Sequence, residues 1–402
     1  MHLSARAASI KGSAILEQAA KVAEMRRRGL DVVSLGAGEP DFPSPREAIE
    51  AASAFIAKGR VTYTPAPGLP ELREAAAAEL TRITGVGYSA AQTCITSGAK
   101  EGLMLALMAL TQDPADEVVV PTPFWASYEA MVSIAGARMV AVPTRESDGF
   151  KLTPEALARA LTPRTRALLL NSPNNPTGAV YSRAELSALC EALRPSGATI
   201  ISDEIYACFV FEGEHVSPAA LPGMAERTVV VNGVSKSHSM TGWRVGFTAA
   251  PPRLATAICN LKSQMTSNAA GPSQVAALAA LRAGPAYTET MKAAYRRRLD
   301  LACELLAEVP GVTLRRPGGT FYVFPRVDAL YGPGLTGSDA LCEGLLDAAH
   351  VAVVPGSEFG EDRCVRMSIA TSEEQIREGL RRFAAHVQSV RGAPAAGAAP
   401  RR

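Results

Sequence analysis

The alternation of two kinds of segment constrains the fold of this 402-residue chain more than any other feature. Short runs rich in β-branched residues recur through the first two thirds, separated by stretches rich in Ala, Leu and Glu, such as residues 100–110, 125–136 and 183–193. Seven runs look like strands buried on both faces: TCITSG, EVVVPTP, RMVAVP, RALLLNSP, ATIISDE, TVVVNG and RVGFTAA. This pattern predicts an α/β fold with a mostly parallel, doubly wound sheet.

The pattern changes after residue 285, where a long helical pattern over 287–308 is followed by short strand and helix patterns in an α+β arrangement. The last residues, RGAPAAGAAPRR, are low in complexity and predicted to be disordered. The predicted segments are an N-terminal arm that also joins the small domain (1–45), a large domain (46–285), a small C-terminal α+β domain (286–390) and a disordered tail (391–402).

Composition argues against several classes of protein. The net charge is only +2, and no block of basic residues stands out, so nucleic acid is not an expected partner. No apolar run reaches the length of a membrane-spanning helix, and the start, MHLSARAASIKGSA, lacks the apolar core of a signal peptide. The seven cysteines are scattered singly, which favours reduced thiols and argues against a metal site. We therefore expect a cytoplasmic protein with no membrane partner and no metal.

Ligands of open α/β sheets bind beyond the carboxyl ends of the strands, so the residues that follow each predicted strand belong together. These are Ser97, Gly98, Ala99 and Lys100 after TCIT, Phe124 and Trp125 after EVVV, the segment NSPNNPTG after RALLL, Asp203 and Tyr206 after ATII, and Ser235 and Lys236 after TVVV. TSGAK can cradle a phosphate at a helix N-terminus. No G-x-G-x-x-G follows a strand and no P-loop motif occurs, which argues against a dinucleotide enzyme or a P-loop NTPase.

Each of these features also has a purely structural reading. TSGAK and NNPTG can be simple turns, Trp125 can be a core residue, and Asp203 can cap a helix. Lys236 can be a solvated loop residue, but an ammonium at the end of a buried strand is unfavourable unless it is paired or neutral. Taken together, the phosphate cradle, aromatic plate, carboxylate, amide, phenol and lysine are the groups that pyridoxal 5′-phosphate requires.

The chain resembles the fold-type I pyridoxal-phosphate aminotransferases of the aspartate aminotransferase family over about residues 7–387. The motifs that carry the resemblance are LGAGEPDFPSP, YTPAPGLPELREA, TSGAKEGL, PTPFWASY, NSPNNPTGAVYS, SDEIY, SKSHSMTGWRVGF and VRMSIATSEE. NNPTG, SDEIY and SK…GWR.G are highly specific when they occur together at this spacing.

The resemblance implies a role for each site residue. Lys236 bonds the cofactor aldehyde as a Schiff base and later moves the substrate proton, while Asp203 pairs with the ring nitrogen. Asn175 and Tyr206 hydrogen-bond the ring 3′-oxygen. The other implied contacts are Ser97, Gly98, Ala99, Ser235 and Arg244 at the phosphate, Lys100 in the cofactor-binding set, Trp125 against the ring, and Arg366, Gly38, Trp125 and Asn175 at the substrate. Arg366 can instead be a surface arginine on an edge strand.

Tyr63 matches the tyrosine that, in this family, reaches the phosphate of the neighbouring subunit. The resemblance therefore implies a homodimer with shared active sites. A tyrosine ahead of a helix that Pro70 begins explains the residue almost as well.

The expected activity is transfer of an amino group from an L-amino acid to a 2-oxo acid, with 2-oxoglutarate or pyruvate as acceptor. One alternative is another pyridoxal-phosphate enzyme on the same fold, such as a β-lyase, a cyclopropane-forming synthase or an oxidase. A non-enzymatic regulator domain is less expected, since it would need a DNA-binding segment ahead of residue 1.

The N-terminal segment departs from the aspartate-specific members, which read Lys-Pro-Ser-x-Thr where this chain has KGSAI. Gly12 replaces the proline and Ile15 the threonine, so one hydroxyl donor to a side-chain carboxylate is lost. Lys11 can still supply a charge, or it can be an exposed lysine on a mobile arm. We expect a broader or altered donor range in which aspartate is no longer strongly preferred.

Overall fold

The computed structural model describes residues 3–4, 7–8, 10 and 12–392. Its central element is a seven-stranded sheet made of β2 (Thr93–Thr96), β3 (Glu117–Thr122), β4 (Arg138–Pro143), β5 (Thr165–Asn171), β6 (Thr199–Asp203), β7 (Thr228–Gly233) and β8 (Gly246–Ala249). The order across the sheet is β2-β8-β7-β6-β5-β3-β4. Only β8 runs antiparallel to its neighbours, β2 and β7. The mostly parallel α/β fold predicted from the sequence is confirmed.

Helices cover the sheet and build the rest of the chain. They are α1 (Ala14–Arg27), α2 (Arg46–Ala57), α3 (Pro70–Thr84), α4 (Ala99–Leu110), α5 (Ser127–Ile134), α6 (Pro154–Ala160), α7 (Arg183–Leu193), α8 (Val234–Ser237), α9 (Pro252–Met265), α10 (Gly271–Arg282), α11 (Ala286–Ala307), α12 (Ser338–Ala349) and α13 (Glu373–Gly392). Residues at the N-termini explain where several of these helices begin. Pro70 is the first residue of α3, and Ser182 caps α7 by accepting the Glu185 N–H at 3.3 Å.

The alternation of side chains along the strands explains why both faces of the sheet are covered. Val118 and Val120 of β3 pack in one core with α4, α5 and α9, whereas Val119 packs in a second core with α6 and α7. β4 differs from the prediction of a strand buried on both faces. It is the outermost strand, bonded to β3 alone, and it exposes Arg138 and Ala141.

One small sheet joins the two ends of the chain, and a second lies within the C-terminal third. β1 (Val33–Ser34) pairs in parallel with β10 (Val351–Ala352). β9 (Tyr322–Val323), β11 (Val354–Pro355) and β12 (Val365–Ser368) form an antiparallel sheet in the order β11-β12-β9. α1 packs nearby, with Val22 and Met25 against Leu346 of α12. The N-terminal helix and strand therefore lie against the C-terminal third of the chain.

Several further features concern the described residues only. No helix among them is long and apolar enough to cross a membrane, and no group of three or more His, Cys, Asp and Glu side chains could hold a metal ion. All seven cysteines are free thiols. α13 continues to Gly392, two residues into the segment predicted to be disordered; residues 393–402 of that segment lie outside the described residues.

Candidate active site

The carboxyl ends of β5, β6 and β7 lie side by side and carry the centre of the candidate site. Asp203 is the last residue of β6, and Lys236 lies in the single turn α8 that follows β7. The N-terminal segment reaches this point, because Nζ of Lys236 donates to the carbonyl oxygen of Gly38 at 2.5 Å. Arg366 arrives from β12 and donates through Nη1 to Oδ1 of Asn175 at 3.1 Å. The structure thus brings together five residues that are far apart in the sequence.

Lys236 lies beside aromatic rings. Its Nζ is 5.9 Å from the ring centre of Tyr206 and 5.8 Å from that of Phe321. Burial lowers the pKa of Lys236 to about 8; Arg366 and Arg244 lower it too, whereas Glu39 and Asp203 raise it. The amine is therefore neutral at a lower pH than an ordinary lysine, and a neutral amine is the nucleophilic form.

Asp203 is a buried carboxylate held by two donors. It is 3% exposed, and the hydroxyl of Tyr128 donates to its Oδ2 at 2.6 Å. The backbone N–H of Ile205 donates to Oδ1 at 3.2 Å. Burial raises the pKa of Asp203 to about 6, although both hydrogen bonds lower it. The carboxylate is thus fixed in orientation and ionised at neutral pH.

Tyr206 is paired with a second buried phenol. Its hydroxyl lies 3.0 Å from the hydroxyl of Tyr322, and burial raises the pKa of both groups. A Cβ at Gly38 would lie only 3.2 Å from the Tyr322 hydroxyl. A glycine at position 38 therefore lets the N-terminal backbone approach this phenol pair.

Arg366 is a buried cation with free hydrogen-bonding capacity. It is 2% exposed, and its guanidinium lies between the rings of Tyr322, at 4.5 Å, and Phe359, at 5.0 Å. Nη2 donates to the carbonyl oxygen of Gly36 at 2.9 Å, whereas the buried Nε has no partner within the described chain. Burial lowers the pKa of Arg366. A surface arginine on an edge strand is therefore the wrong description, and the unused N–H points to an anionic ligand.

The N-terminus of α4 is the place at which the sequence predicts a phosphate cradle. Gly98 precedes the helix with φ of 85°, and a Cβ there would overlap Nη2 of Arg244. A Cβ on Gly246 would overlap the backbone nitrogen of Ala99. Arg244 and β8 therefore approach the helix N-terminus closely because two glycines leave them room. Backbone N–H groups and a guanidinium at one helix end favour an anion.

The remaining predicted residues lie around this centre. Trp125 packs edge-on against Tyr128 with ring centres 5.5 Å apart. Nζ of Lys100 lies 4.8 Å from the centre of the Trp125 ring, and burial and Arg244 lower the pKa of Lys100. Ser235 is buried next to Lys236. Tyr63 is not brought into this cluster, because it is 91% exposed at the surface of the chain.

Comparison with known proteins settles the family. A sequence model of the family described as aminotransferase class I and II matches residues 30–383. The chain belongs to this family. It is 42% identical over 386 residues to an aspartate aminotransferase of Geobacillus stearothermophilus, covering 95% of this chain and 98% of that protein.

Two further relatives extend this result. The chain is 42% identical to an aspartate/prephenate aminotransferase of Thermus thermophilus, covering 95% of this chain and 98% of that one. The solved structure of an aspartate aminotransferase from Thermus thermophilus with maleate superposes with a TM-score of 0.91 at 42% identity, over 96% of this chain and 100% of that chain. The protein is thus a pyridoxal-phosphate-dependent aminotransferase, and pyridoxal 5′-phosphate is its cofactor.

The residues of this aminotransferase fit that cofactor. The cofactor carries a phosphate, a ring nitrogen and an aldehyde, and the site offers a glycine-lined helix N-terminus with Arg244, an ionised Asp203 and an amine with a lowered pKa. The Nε of Arg366, which has no hydrogen-bond partner within the described chain, is a free donor for the carboxylate of an amino acid bound next to the cofactor.

Sequence reasoning missed two residues that hydrogen-bond predicted site residues. Tyr128 lies in the first turn of α5, just after Trp125 in the motif PTPFWASY, and the sequence alone does not show that its hydroxyl donates to Asp203. Tyr322 stands in the aromatic run FYVF, where nothing in the sequence separates it from its core neighbours.

The N-terminal departure from the aspartate-specific pattern has a structural setting. Ile15 packs against a buried cluster that includes Phe150, Val354 and Phe359. Since Phe359 also lies against Arg366, Ile15 adds to the apolar wall beside the Arg366 guanidinium. Gly12 is exposed, and Lys11 lies outside the described residues.

Proposed function

We propose that this aminotransferase binds the carboxylate of its amino acid substrate through Arg366 and places the substrate Cα next to Lys236. We also propose that it accepts a broader range of amino donors than aspartate alone. The observation that carries the proposal is the buried, partly unpaired guanidinium of Arg366, which lies close enough to the amine of Lys236 to lower its pKa. A bidentate guanidinium–carboxylate pair fixes the orientation of an amino acid, so that its Cα–H can be directed at a base.

In this proposal each residue at the centre of the site has a separate chemical role. Pyridoxal phosphate supplies an aldehyde for the amino group and a ring that accepts electrons from Cα. Lys236 would hold the aldehyde through its amine, and once the amino group of the substrate has displaced it, the freed Nζ would take and return the Cα proton. Asp203, held by Tyr128, keeps the ring nitrogen protonated. Asn175 and Tyr206 hydrogen-bond the ring oxygen.

The outer residues hold the cofactor and cover the substrate. In this proposal Ser97, Gly98, Ala99, Ser235 and Arg244 bind the phosphate, with Lys100 near them. Trp125 lies against the ring, and Gly38, Trp125 and Asn175 join Arg366 at the substrate carboxylate. Support comes from the approach of Arg244 to Gly98 and from the hydrogen bond between Arg366 and Asn175.

The broader donor range rests on the apolar wall. The relatives are called aspartate or aspartate/prephenate aminotransferases, so aspartate is a donor to test first. Ile15 offers no hydroxyl to a side-chain carboxylate and packs among aromatic residues. Its presence favours apolar and aromatic side chains over charged ones by about 1–3 kcal/mol through desolvation. We propose 2-oxoglutarate or pyruvate as acceptor.

A donor panel tests the proposal. The quantity to measure is kcat/KM for aspartate, glutamate, aromatic, basic and aliphatic donors with each acceptor. We expect aspartate to lead the other donors by less than about tenfold, and Ile15→Thr to increase its lead. Ile49→Thr, at an exposed isoleucine, is the matched control. A wild-type preference for aspartate of about a hundredfold, roughly 2.7 kcal/mol, overturns the broader range. Turnover without an oxo acid would instead support a lyase or oxidase.

The single chain exposes apolar surface at Tyr63, Val61 and Ile56. We therefore propose a homodimer in which Tyr63 contributes to the active site of the partner subunit. We propose a large cofactor-binding domain over 46–285 and a small domain built from 286–390 with part of 1–45. A cytoplasmic location is supported by the seven free thiols.

A further inference from the structure

A fully buried lysine lies just behind the cradle, outside the set of residues assigned above. Lys262 of α9 is 0% exposed, and its Nζ lies 3.3 Å from Oε2 of Glu101 and 3.1 Å from Oγ1 of Thr266. A buried ammonium is strongly unfavourable unless it is paired and hydrogen-bonded. The pair with Glu101 therefore explains how Lys262 is tolerated there.

Glu101 connects this lysine to the cradle. It lies in the first turn of α4, and its side chain is 11% exposed. Its Oε2 accepts the backbone N–H of Ser97 at 2.5 Å, and its Oε1 accepts the hydroxyl of Thr266 at 2.5 Å. One carboxylate thus fixes the first residue of the Ser97–Gly98–Ala99 turn and ties it to the end of α9.

The position of Glu101 creates an electrostatic problem for a phosphate. A carboxylate in the first turn of α4 interacts favourably with the helix dipole, but it also repels any anion bound at the same helix end. The ammonium of Lys262, 3.3 Å from Oε2 of Glu101, offsets this charge. The turn is then held by a strong acceptor without added repulsion.

We propose that Lys262 and Glu101 form a positioning pair for cofactor binding: Glu101 holds the Ser97 backbone, and Lys262 neutralises Glu101 so that the cradle still accepts a phosphate. The inference rests on the proposed role of Ser97, Gly98 and Ala99. If the pair only linked α9 to α4, its removal would lower the stability of the fold without a specific effect on the affinity for phosphate.

The test measures binding to the cofactor-free full chain with three probes: pyridoxal 5′-phosphate, inorganic phosphate, and pyridoxal, which lacks the phosphate. Lys262→Met should weaken binding of the first two by about tenfold or more and leave pyridoxal binding unchanged. The double variant Lys262→Met/Glu101→Gln removes both charges and should recover phosphate binding to within about threefold of wild type. Lys151→Met, which breaks the ion pair with Glu185 elsewhere, is the matched control.

Every other outcome counts against the inference. Unchanged phosphate binding by Lys262→Met, a double variant as weak as the single one, or an equal loss of pyridoxal binding overturns it. If Lys262→Met does not fold, Glu101→Gln alone decides: it should bind phosphate at least as tightly as wild type, and weaker binding overturns the inference. A wild-type chain that binds no pyridoxal phosphate would instead sink the proposed function of the site.

Discussion

Lys236 and Asp203 lie close enough for each charge to shift the pKa of the other, and burial moves the two pKa values toward each other, to about 8 and about 6. Above about pH 8 the amine is neutral while the carboxylate remains ionised. This is the combination that the proposed roles require, a nucleophilic amine and an anion beside a protonated ring nitrogen. Burial thus favours the neutral amine of Lys236 and disfavours the ionised carboxylate of Asp203, which the hydrogen bonds from Tyr128 and Ile205 support.

Replacing Lys236 by alanine should abolish covalent attachment of the cofactor, because it removes the buried amine whose pKa is lowered to about 8. We expect borohydride treatment to leave no cofactor mass on the Lys236→Ala protein, and turnover to fall by about a thousandfold or more. Mass spectrometry after reduction gives the first result and a coupled assay the second. Lys151→Ala should behave as wild type, and normal trapping in Lys236→Ala would contradict the assignment.

Asp203→Asn should stabilise the cofactor-free chain. Because the pKa of Asp203 is raised from 3.8 to about 6, the folded state holds its proton longer than the unfolded state, and stability falls as the pH rises between these values. The amide removes this loss, so we expect a gain of about 1–3 kcal/mol at pH 8 and almost none at pH 3.5. Urea unfolding at both pH values measures it.

The control for Asp203→Asn is Asp148→Asn, at an exposed position, which should change the free energy of unfolding by less than about 0.5 kcal/mol. A variant that is less stable than wild type at pH 8 would show that the hydrogen bonds from Tyr128 and Ile205 outweigh the burial of the charge.

At the scale of elements, the junction of β2 and α4 depends on one glycine. Gly98→Ala places a side chain at a φ of 85° and against the guanidinium of Arg244. We expect about a tenfold loss of affinity for pyridoxal phosphate and a lower Tm, measured by titration and by thermal unfolding. Gly87→Ala, which meets nothing within 4 Å, is the control. Equal affinities of the two variants would exclude a tight cradle.

The seven strands and most helices follow from the sequence because their periodicity and turn residues agree locally with the fold. Prediction failed where tertiary position decides. β4 has the composition of a buried strand, yet Arg138 and Ala141 are exposed at one edge of the sheet, whereas β2 at the opposite edge is buried. Tyr128 and Tyr322 join the site through contacts with residues distant in sequence. Lys262 and Glu101, which form an ion pair, are likewise far apart in the sequence.

At the scale of the whole molecule, Tyr63 decides whether the sites are shared. Its 91% exposure means that a single chain gives it no buried partner. Mixing Tyr63→Phe with Lys236→Ala subunits should give hybrid dimers whose activity differs from both parents, because one of the two sites then has both wild-type residues. Activity and native mass spectrometry of the mixture test this. Hybrid dimers that show only the sum of the parental activities would disfavour shared sites.

The pairing of β1 with β10 has a consequence for synthesis. The N–H of Leu35, next to β1, donates to Ala352, and the carbonyl of Gly36 accepts Arg366, so this early segment takes its place only when the end of the chain is present. On the ribosome, Lys236 and Asp203 emerge with the finished central sheet long before Arg366 does. We therefore expect the growing protein to bind its cofactor before it can bind the carboxylate of an amino acid. A chain truncated before β12 should likewise bind the cofactor but lack transaminase activity.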